Sequence, residues 1–359
     1  MMEITLPTTV EAARTNQTPT VRPYAPRDAQ RWDAYVATCP AATFFHRSAW
    51  HDILADVFRH RPHFLVAERC GEVVGVLPLA EVRSRLFGDA LVSLPFCVYG
   101  GPATCDAAAA DALIDAAADL ARALRMPHLE LRNRERLRPG WPQQSLYVTF
   151  RKTMLPDPEA NLAAVPRKQR AMVRKGIKHG LRSEIDDGID RFFDLYADNV
   201  HRHGTPALSR RYFMRLREAF GADCEVLTVV DAAGRAVSSV MSFFHRDEVL
   251  PYYAGDTVAA RDLAGNDFKY WELMRHACTN GVRVFDYGRS KRGTGPYAFK
   301  KNWGFEPQPL HYEYRLYKRD AVPQNNPANA RYRLMIEAWR RLPLGVANWL
   351  GPFVVRSLG

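Results

Sequence analysis

The sequence predicts an α/β protein built from two similar tandem domains, followed by a separate amphipathic tail. Three observations predict it. The chain has 359 residues, too many for one ordinary core and enough for two domains of about 150 residues each. Hydrophobic residues make up 47% of it and charged residues 25%, the balance of a globular chain and not of a disordered one. The third is an order read twice along the chain: helices, an antiparallel meander, a helix and closing strands, which argues for a repeated α/β unit. The expected boundaries are a disordered tail over 1–22, a first domain over 23–150, a second over 151–318 and a basic tail over 319–359.

The elements follow in order. Residues 1–22 are Thr/Pro-rich and aperiodic. RDAQRWDAYVATC and SAWHDILADVF alternate as short amphipathic helices, with Ser48 placed to cap the second. FLVAER and VVGVLPLAEVR flank the turn residues Cys70 and Gly71, and ALVSLPFCVYGG continues the strand signal. The alanine-rich run after Asp106 has high helix propensity and an acidic cap. HLELRN and YVTFRKTML return as strands. The second half opens with EANLAAVPRKQRAMVRKGIKHG, read as one helix, then LRSEI as a strand and two further helices up to Gly221. CEVLTVVDAAG, RAVSSVMSFFHRD and EVLPYYAGD form the second meander. The helix NDFKYWELMRHACTNG, the strand VRVFDYGRS, a Gly-rich loop and the strand LHYEYRLY complete it.

Charge is concentrated. The formal net charge is +11, and residues 165–182 carry seven cations with no acid, while 318–359 carry seven against Asp320 and Glu337. The rest of the chain is nearly neutral. Such a field attracts polyanions: RNA, a nucleotide pyrophosphate or an anionic membrane. No run of about 18 apolar residues occurs, so no spanning helix is expected, and the N-terminus lacks the pattern of a secretory signal. Six cysteines without C-x-x-C spacing read as reduced thiols, so the expected location is cytoplasmic and no metal site is expected. His201 and His203 lie near a helix end, where the dipole favours them more than a metal does.

The densest chemistry lies in 252–304. A strand ends at Gly255 and Asp256, and a polar loop leads to a helix beginning near Asn266, whose free N–H groups suit phosphate or an oxyanion. The strand VRVFDYG puts Asp286 near its C-terminal end, and the loop after it carries Arg289, Ser290 and Lys291, with Tyr297 and Lys300 close behind. A cationic glycine loop beside aromatic residues fits a nucleotide-like group.

These residues carry a resemblance. D286YGRS followed by Y297AFKKNWG resembles the signature of the Fem-type (FemAB) aminoacyltransferases. The block P166RKQRAMVRKGIKHGL resembles their basic helix, D262LAGNDFKYWELMRHACTNG their loop and helix, and F44FHRSAW their N-terminal motif. The closing run RRLPLGVANWLGP is similar to the branch associated with exosortase/PEP-CTERM exopolysaccharide systems. The resemblance implies two tandem GNAT-like domains and acyl or aminoacyl transfer to an amine without metal or redox cofactor. Aminoacyl-tRNA is the favoured donor and acyl-CoA or an acyl carrier protein the alternative. It places Lys300 at the donor end, where an ammonium suits carrier phosphates or a tetrahedral oxyanion. Arg167, Lys168, Arg174 and Lys175, with Asn266, Arg289, Ser290, Lys291 and Tyr297, are the expected carrier-binding groups, and Asp286 and Tyr253 the groups to take the amine proton. Trp50 is followed by His51, Asp52, Ile53, Leu54 and Ala55 and not by the lysine of the cell-wall members, so an envelope or exopolysaccharide precursor other than a peptidoglycan nucleotide is the expected acceptor. DNA is not an expected partner. A non-catalytic RNA- or membrane-binding adaptor on the same fold is the remaining reading.

In the tail, Tyr332, Met335, Trp339 and Leu342 share one helical side, continued by Val346, Trp349, Leu350, Phe353 and Val354. Arg333, Arg340 and Arg341 fall away from it. The pattern suits peripheral contact with an anionic inner membrane, or docking on the protein itself.

Overall fold

The computed structural model describes residues 17–84, 88–323 and 330–357. Residues 1–16 of the expected N-terminal tail lie outside it. The chain divides into two compact units, 1–143 with 311–322, and 144–310 with 323–359.

In the first unit, β1 (Thr20–Pro23), β3 (Leu65–Arg69) and β4 (Glu72–Leu77) form an antiparallel sheet in the order β1-β3-β4. Thr20, Val21 and Arg22, read from sequence as tail, are thus paired strand. Cys70 and Gly71 both take positive φ, at 51° and 83°, as a tight two-residue hairpin requires. A second sheet holds β2 (Arg61–Pro62), β5 (Ala80–Val82), β6 (Ala90–Val92), β7 (His128–Asn133) and β8 (Gln143–Gln144). Strand His311–Leu316 inserts between β7 and β8 in antiparallel register, from His311 opposite Asn133 to Leu316 opposite His128. The helices are α1 (Ala29–Thr38), α2 (Trp50–Asp56) and α3 (Ala107–Ala123). Asp106 caps α3 by accepting from the Ala109 N–H at 3.1 Å, as its sequence position predicts. Ser48 does not cap α2: its N–H and hydroxyl both donate to the Asp33 carboxylate. Leu113, Ile114, Ala117 and Ala121 of α3 bury against Leu65, Leu77, Leu91 and Leu129, the alternation that makes one face of each strand core.

The second unit is one eight-stranded sheet: β9 (Tyr147–Thr153), β10 (Arg182–Asp186), β11 (Cys224–Val230), β12 (Ala236–His245), β13 (Glu248–Asp256), β14 (Val284–Asp286), β15 (Ser290–Lys291) and β16 (Pro307–Pro309). Its order is β10-β11-β12-β13-β14-β9-β15, with β16 also on β9. The strand that follows, β17 (His311–Leu316), is the one that returns to the first unit. The boundary expected between 150 and 151 therefore falls within β9, and the strand expected to close the second domain closes the first.

The helices are α4 (Pro158–Ala164), α5 (Arg167–Lys178), α6 (Asp190–Arg202), α7 (Arg210–Phe220), α8 (Ala260–Leu263), α9 (Gly265–Thr279), α10 (Gly295–Asn302), α11 (Ala330–Arg340) and α12 (Leu344–Val355). The run read as one helix over 159–180 is two, because Pro166 forces Val165 into an extended conformation with ψ 134°. The core joins Val148 and Phe150 of β9 to Leu227, Val240, Val249 and Phe285 of the neighbouring strands and to Phe268, Trp271 and Leu273 of α9.

Candidate active site

One strand junction in the second unit has the geometry for an extended ligand. β13 and β14 run parallel but pair only through Glu248 with Val284 and Val249 with Phe285. Two residues later in β13 stands Pro251, which has no N–H to continue a ladder. On the other side, β14 ends at Asp286 and the chain turns through Gly288, at φ 64°. The remainder of β13, 250–256, is paired to β12 and has no pairing to β14 among the described residues. Such an unzipped parallel pair presents main-chain polar groups to a ligand lying along it.

A buried charge cluster fixes the closed end. Arg151 of β9 pairs with Glu248 and, at 3.1 Å, with the fully buried Asp286. Asp286 also accepts from the Gly288 N–H at 2.7 Å and from the Thr149 hydroxyl at 3.3 Å. Its carboxylate is thus engaged on all sides, and it holds the 286–288 turn. Lys300 of α10 completes that turn, donating to the carbonyls of Tyr287, Gly288 and Arg289 at 2.7, 3.1 and 3.2 Å. Burial pushes its ammonium down to about 8, opposed by the charge of Asp286. An ammonium has three N–H groups, and three carbonyls take them. In this geometry Lys300 shapes the turn rather than presenting a donor to an oxyanion.

The open end is fixed by a second pair. Lys269 of α9, fully buried, reaches Asp256 at the end of β13 at 2.8 Å, and Ser238 donates to the same carboxylate. This ties the start of α9 to the tip of β13. Helix α9 begins one residue after Ala264, which takes a left-handed conformation with φ 59°, so Asn266 stands in the first turn, with Ala264 and not Asn266 as the cap. Asp267 beside it accepts from the Trp303 indole at 2.9 Å, and burial raises its carboxyl above the ordinary range. Burial likewise raises the Tyr287 and Tyr270 phenols. The Tyr287 hydroxyl and the Ser290 hydroxyl are each buried with no hydrogen-bond partner among the described residues, which marks them as groups a ligand can satisfy.

The remaining expected residues fall in three places. Arg289, Lys291 and Tyr297 join Asp286, Ser290 and Lys300 around the turn and α10, with the Arg289 guanidinium 4.5 Å over the Tyr147 ring and Tyr297 edge-on to Phe150. Tyr253 lies on the open length of β13, its hydroxyl 2.8 Å from that of Tyr212. Arg167, Lys168, Arg174 and Lys175 are exposed on α5, together with Lys178, on the side opposite Gln169, Val173 and Gly176. That buried side rests on α9, where a Cβ on Gly176 would come within 2.9 Å of Phe268 Cβ. Sequence reasoning missed Arg151, Glu248, Lys269 and Asp256. The one available signal was a lysine among the apolar residues of FKYWELM, since a lysine on an inward face needs a buried partner.

The first unit has a concave site of its own, a cavity of about 500 Å³ whose lining includes His46, Tyr99, Asp106, Arg132 and Asn133. His46, from the F44FHRSAW motif, accepts from the Thr43 N–H at Nδ1 and gives Nε2–H to the Gly101 carbonyl at 2.8 Å, which fixes its neutral tautomer. Among the described residues, no three His, Cys, Asp or Glu side chains are grouped to hold a metal ion.

Residues 167–301 match the acetyltransferase (GNAT) domain family. No curated protein matches the chain. Among solved structures the chain is similar to FemX, with TM-score 0.65 and 16% identity over 83% of this chain and 98% of that one. It is also similar to L-PGS from Bacillus licheniformis (0.56, 14%, 87% and 96%) and to a tandem GNAT protein from the clavulanic acid biosynthesis pathway (0.51, 16%, 85% and 100%). The fold is that of tandem GNAT-like domains, and the protein is a transferase carrying a GNAT acetyltransferase domain.

Proposed function

We propose that this GNAT-fold acyltransferase moves an aminoacyl or acyl group from a polyanionic carrier, aminoacyl-tRNA before others, to an amine of a cell-envelope or exopolysaccharide precursor. The observation that carries the reading is the outer face of α5. Five exposed cations without an acid lie on a helix packed against α9, which starts at the open β13–β14 junction. The carrier's phosphates lie along α5 and the loop carrying Arg289 and Lys291, and the acyl segment enters the junction. The Fem-type resemblance of the surrounding motifs supports the same donor. A neutral amine attacks the acyl carbonyl, and main-chain N–H groups at the open junction meet the oxyanion. Tyr253, joined to Tyr212, relays the proton: its phenol receives the amine proton while giving its own to the carrier oxygen or sulfur, which leaves as the oxyanion collapses and the acyl bond to the carrier breaks. Asp286 and Lys300 act by holding the turn, so the chemistry rests largely on positioning.

A second reading, with acyl-CoA as donor, is favoured by one observation. The Ala264 and Gly265 bend into α9 leaves helix N–H groups available to a pyrophosphate. The two readings separate in one assay: purified protein with an amino-sugar acceptor and either labelled aminoacyl-tRNA or labelled acetyl-CoA, with the product identified by mass spectrometry. Label should move from aminoacyl-tRNA. Transfer from acetyl-CoA alone would establish the second reading, and transfer from neither would sink both.

A further inference from the structure

Helix α12 is apolar on every side except at Asn348. An all-round apolar helix is ordinarily buried all round, and this one is not. Ala347, Gly351 and Val355 are buried on one side. Gly351 lies so close to the chain at Ala207 that a Cβ there would stand 2.7 Å from the Ala207 carbonyl oxygen. The small residues of α12 are therefore its docking side within the second unit. On the opposite side Val346, Trp349 and Phe353 are exposed by 41%, 69% and 62%, with the two rings 6.1 Å apart. Exposed Arg340 and Arg341 precede the helix and exposed Arg356 follows it. No carboxylate occurs from Ala338 to Ser357.

We infer that this face seats in the headgroup boundary of an anionic bilayer, with Trp349 and Phe353 in the acyl margin and the arginines on lipid phosphates. Twelve residues of helix make about 18 Å, well short of a span, and no described helix is long and apolar enough to cross a membrane. The arrangement is that of a helix lying in the interface: an aromatic and aliphatic side, cations at its ends and no opposing charge. Three outward side chains are also far less than the ~800 Å² per partner of a stable protein interface. The docking of α12 through its buried side adds a further point. A helix already held in place loses little conformational freedom on binding, so exposed aromatics on it bind more tightly than on a free tail. The inference stands apart from the acyl donor and holds whether or not aminoacyl-tRNA is used.

The test is co-sedimentation of the full chain with phosphatidylcholine vesicles, with and without phosphatidylglycerol. The protein should pellet with the anionic vesicles and stay in the supernatant with the neutral ones. Trp349→Ser with Phe353→Ser should lower partitioning by at least about tenfold with no change in melting temperature, since both side chains are exposed. Arg341→Gln with Arg356→Gln should lower it roughly twenty-five-fold, at about fivefold per cation. Three results would overturn the inference: no pelleting of the parent protein with anionic vesicles; unchanged pelleting of the serine variant, which would move the lipid contact to another basic face such as α5; or a parent dimer in sedimentation velocity that the serine substitutions convert to monomer, which would make the face a contact between copies.

Discussion

At the scale of single residues, Lys300 shows what a motif conveys and what it leaves out. Its place beside the 286–289 turn follows the FKK run that the sequence singled out. Its role was not legible there, because eleven to thirteen residues of spacing do not reveal that three carbonyls of one turn converge on the ammonium. Removing those donors from buried carbonyls costs about 1–3 kcal/mol, so Lys300→Met should lower both the melting temperature and transfer, whereas a pure oxyanion donor would affect transfer alone. The pH dependence has a definite sign. The folded ammonium titrates near 8 and the unfolded one near 10.5, so between those values the unfolded chain binds the extra proton. This group's contribution to unfolding free energy therefore rises with pH across that window, while the turn loses a donor and activity falls. A descending limb near pH 8 is expected, and Lys300→Arg, which stays charged, should move it beyond the measured range. A limb that stays in place in the arginine variant would take Lys300 out of the pH profile.

At the scale of elements, most helices and strands were visible in their periodicity, and the errors have local causes. ALVSLPFCVYGG reads as one long strand, yet only Ala90–Val92 is paired, because Leu94 and Phe96 take positive φ on either side of Pro95. The helix over 159–180 breaks at its proline. The tail stripe was read correctly as helical, but sequence could not distinguish docking from exposure. In α12 both occur on opposite sides, whereas the side chains of Tyr332 and Arg333 lie outside the described residues. Helix α5 was legible as basic, and the structure adds that its cations face outward together. With five phosphate contacts, binding of tRNA should weaken with salt at a log–log slope of about −4. Each of Arg174→Ala and Lys175→Ala should reduce that slope by about one. Fluorescence titrations across a salt series would read it, and a flat series would return α5 to the role of a solvated face.

At the scale of the whole molecule, the repeated order of elements predicted two units correctly but not how the chain is shared between them. Pairing between β7 and β17 crosses some 180 residues, a separation that composition and periodicity do not encode. Glu313 of β17 is fully buried in the first unit, accepting from Asn133 Nδ2 at 2.5 Å and from the Leu137 and Arg138 N–H groups at 2.9 and 2.7 Å. A fragment ending at 143 should therefore remain unfolded or aggregate, and fusing 305–322 to it should restore a cooperative melting transition by circular dichroism. If the shorter fragment melts cooperatively by itself, β17 is dispensable to the first unit. The same strand sets a timetable for synthesis. The ribosome delivers β7 long before β17, and at roughly 5–20 residues per second the wait is on the order of 10–35 s. During it, the nascent sheet has an unpaired edge and unmatched donors at Asn133, Leu137 and Arg138. A strand edge of this kind is a template for the wrong partner, so the cell must shelter an incomplete first unit until residues 311–316 have emerged to pair with it.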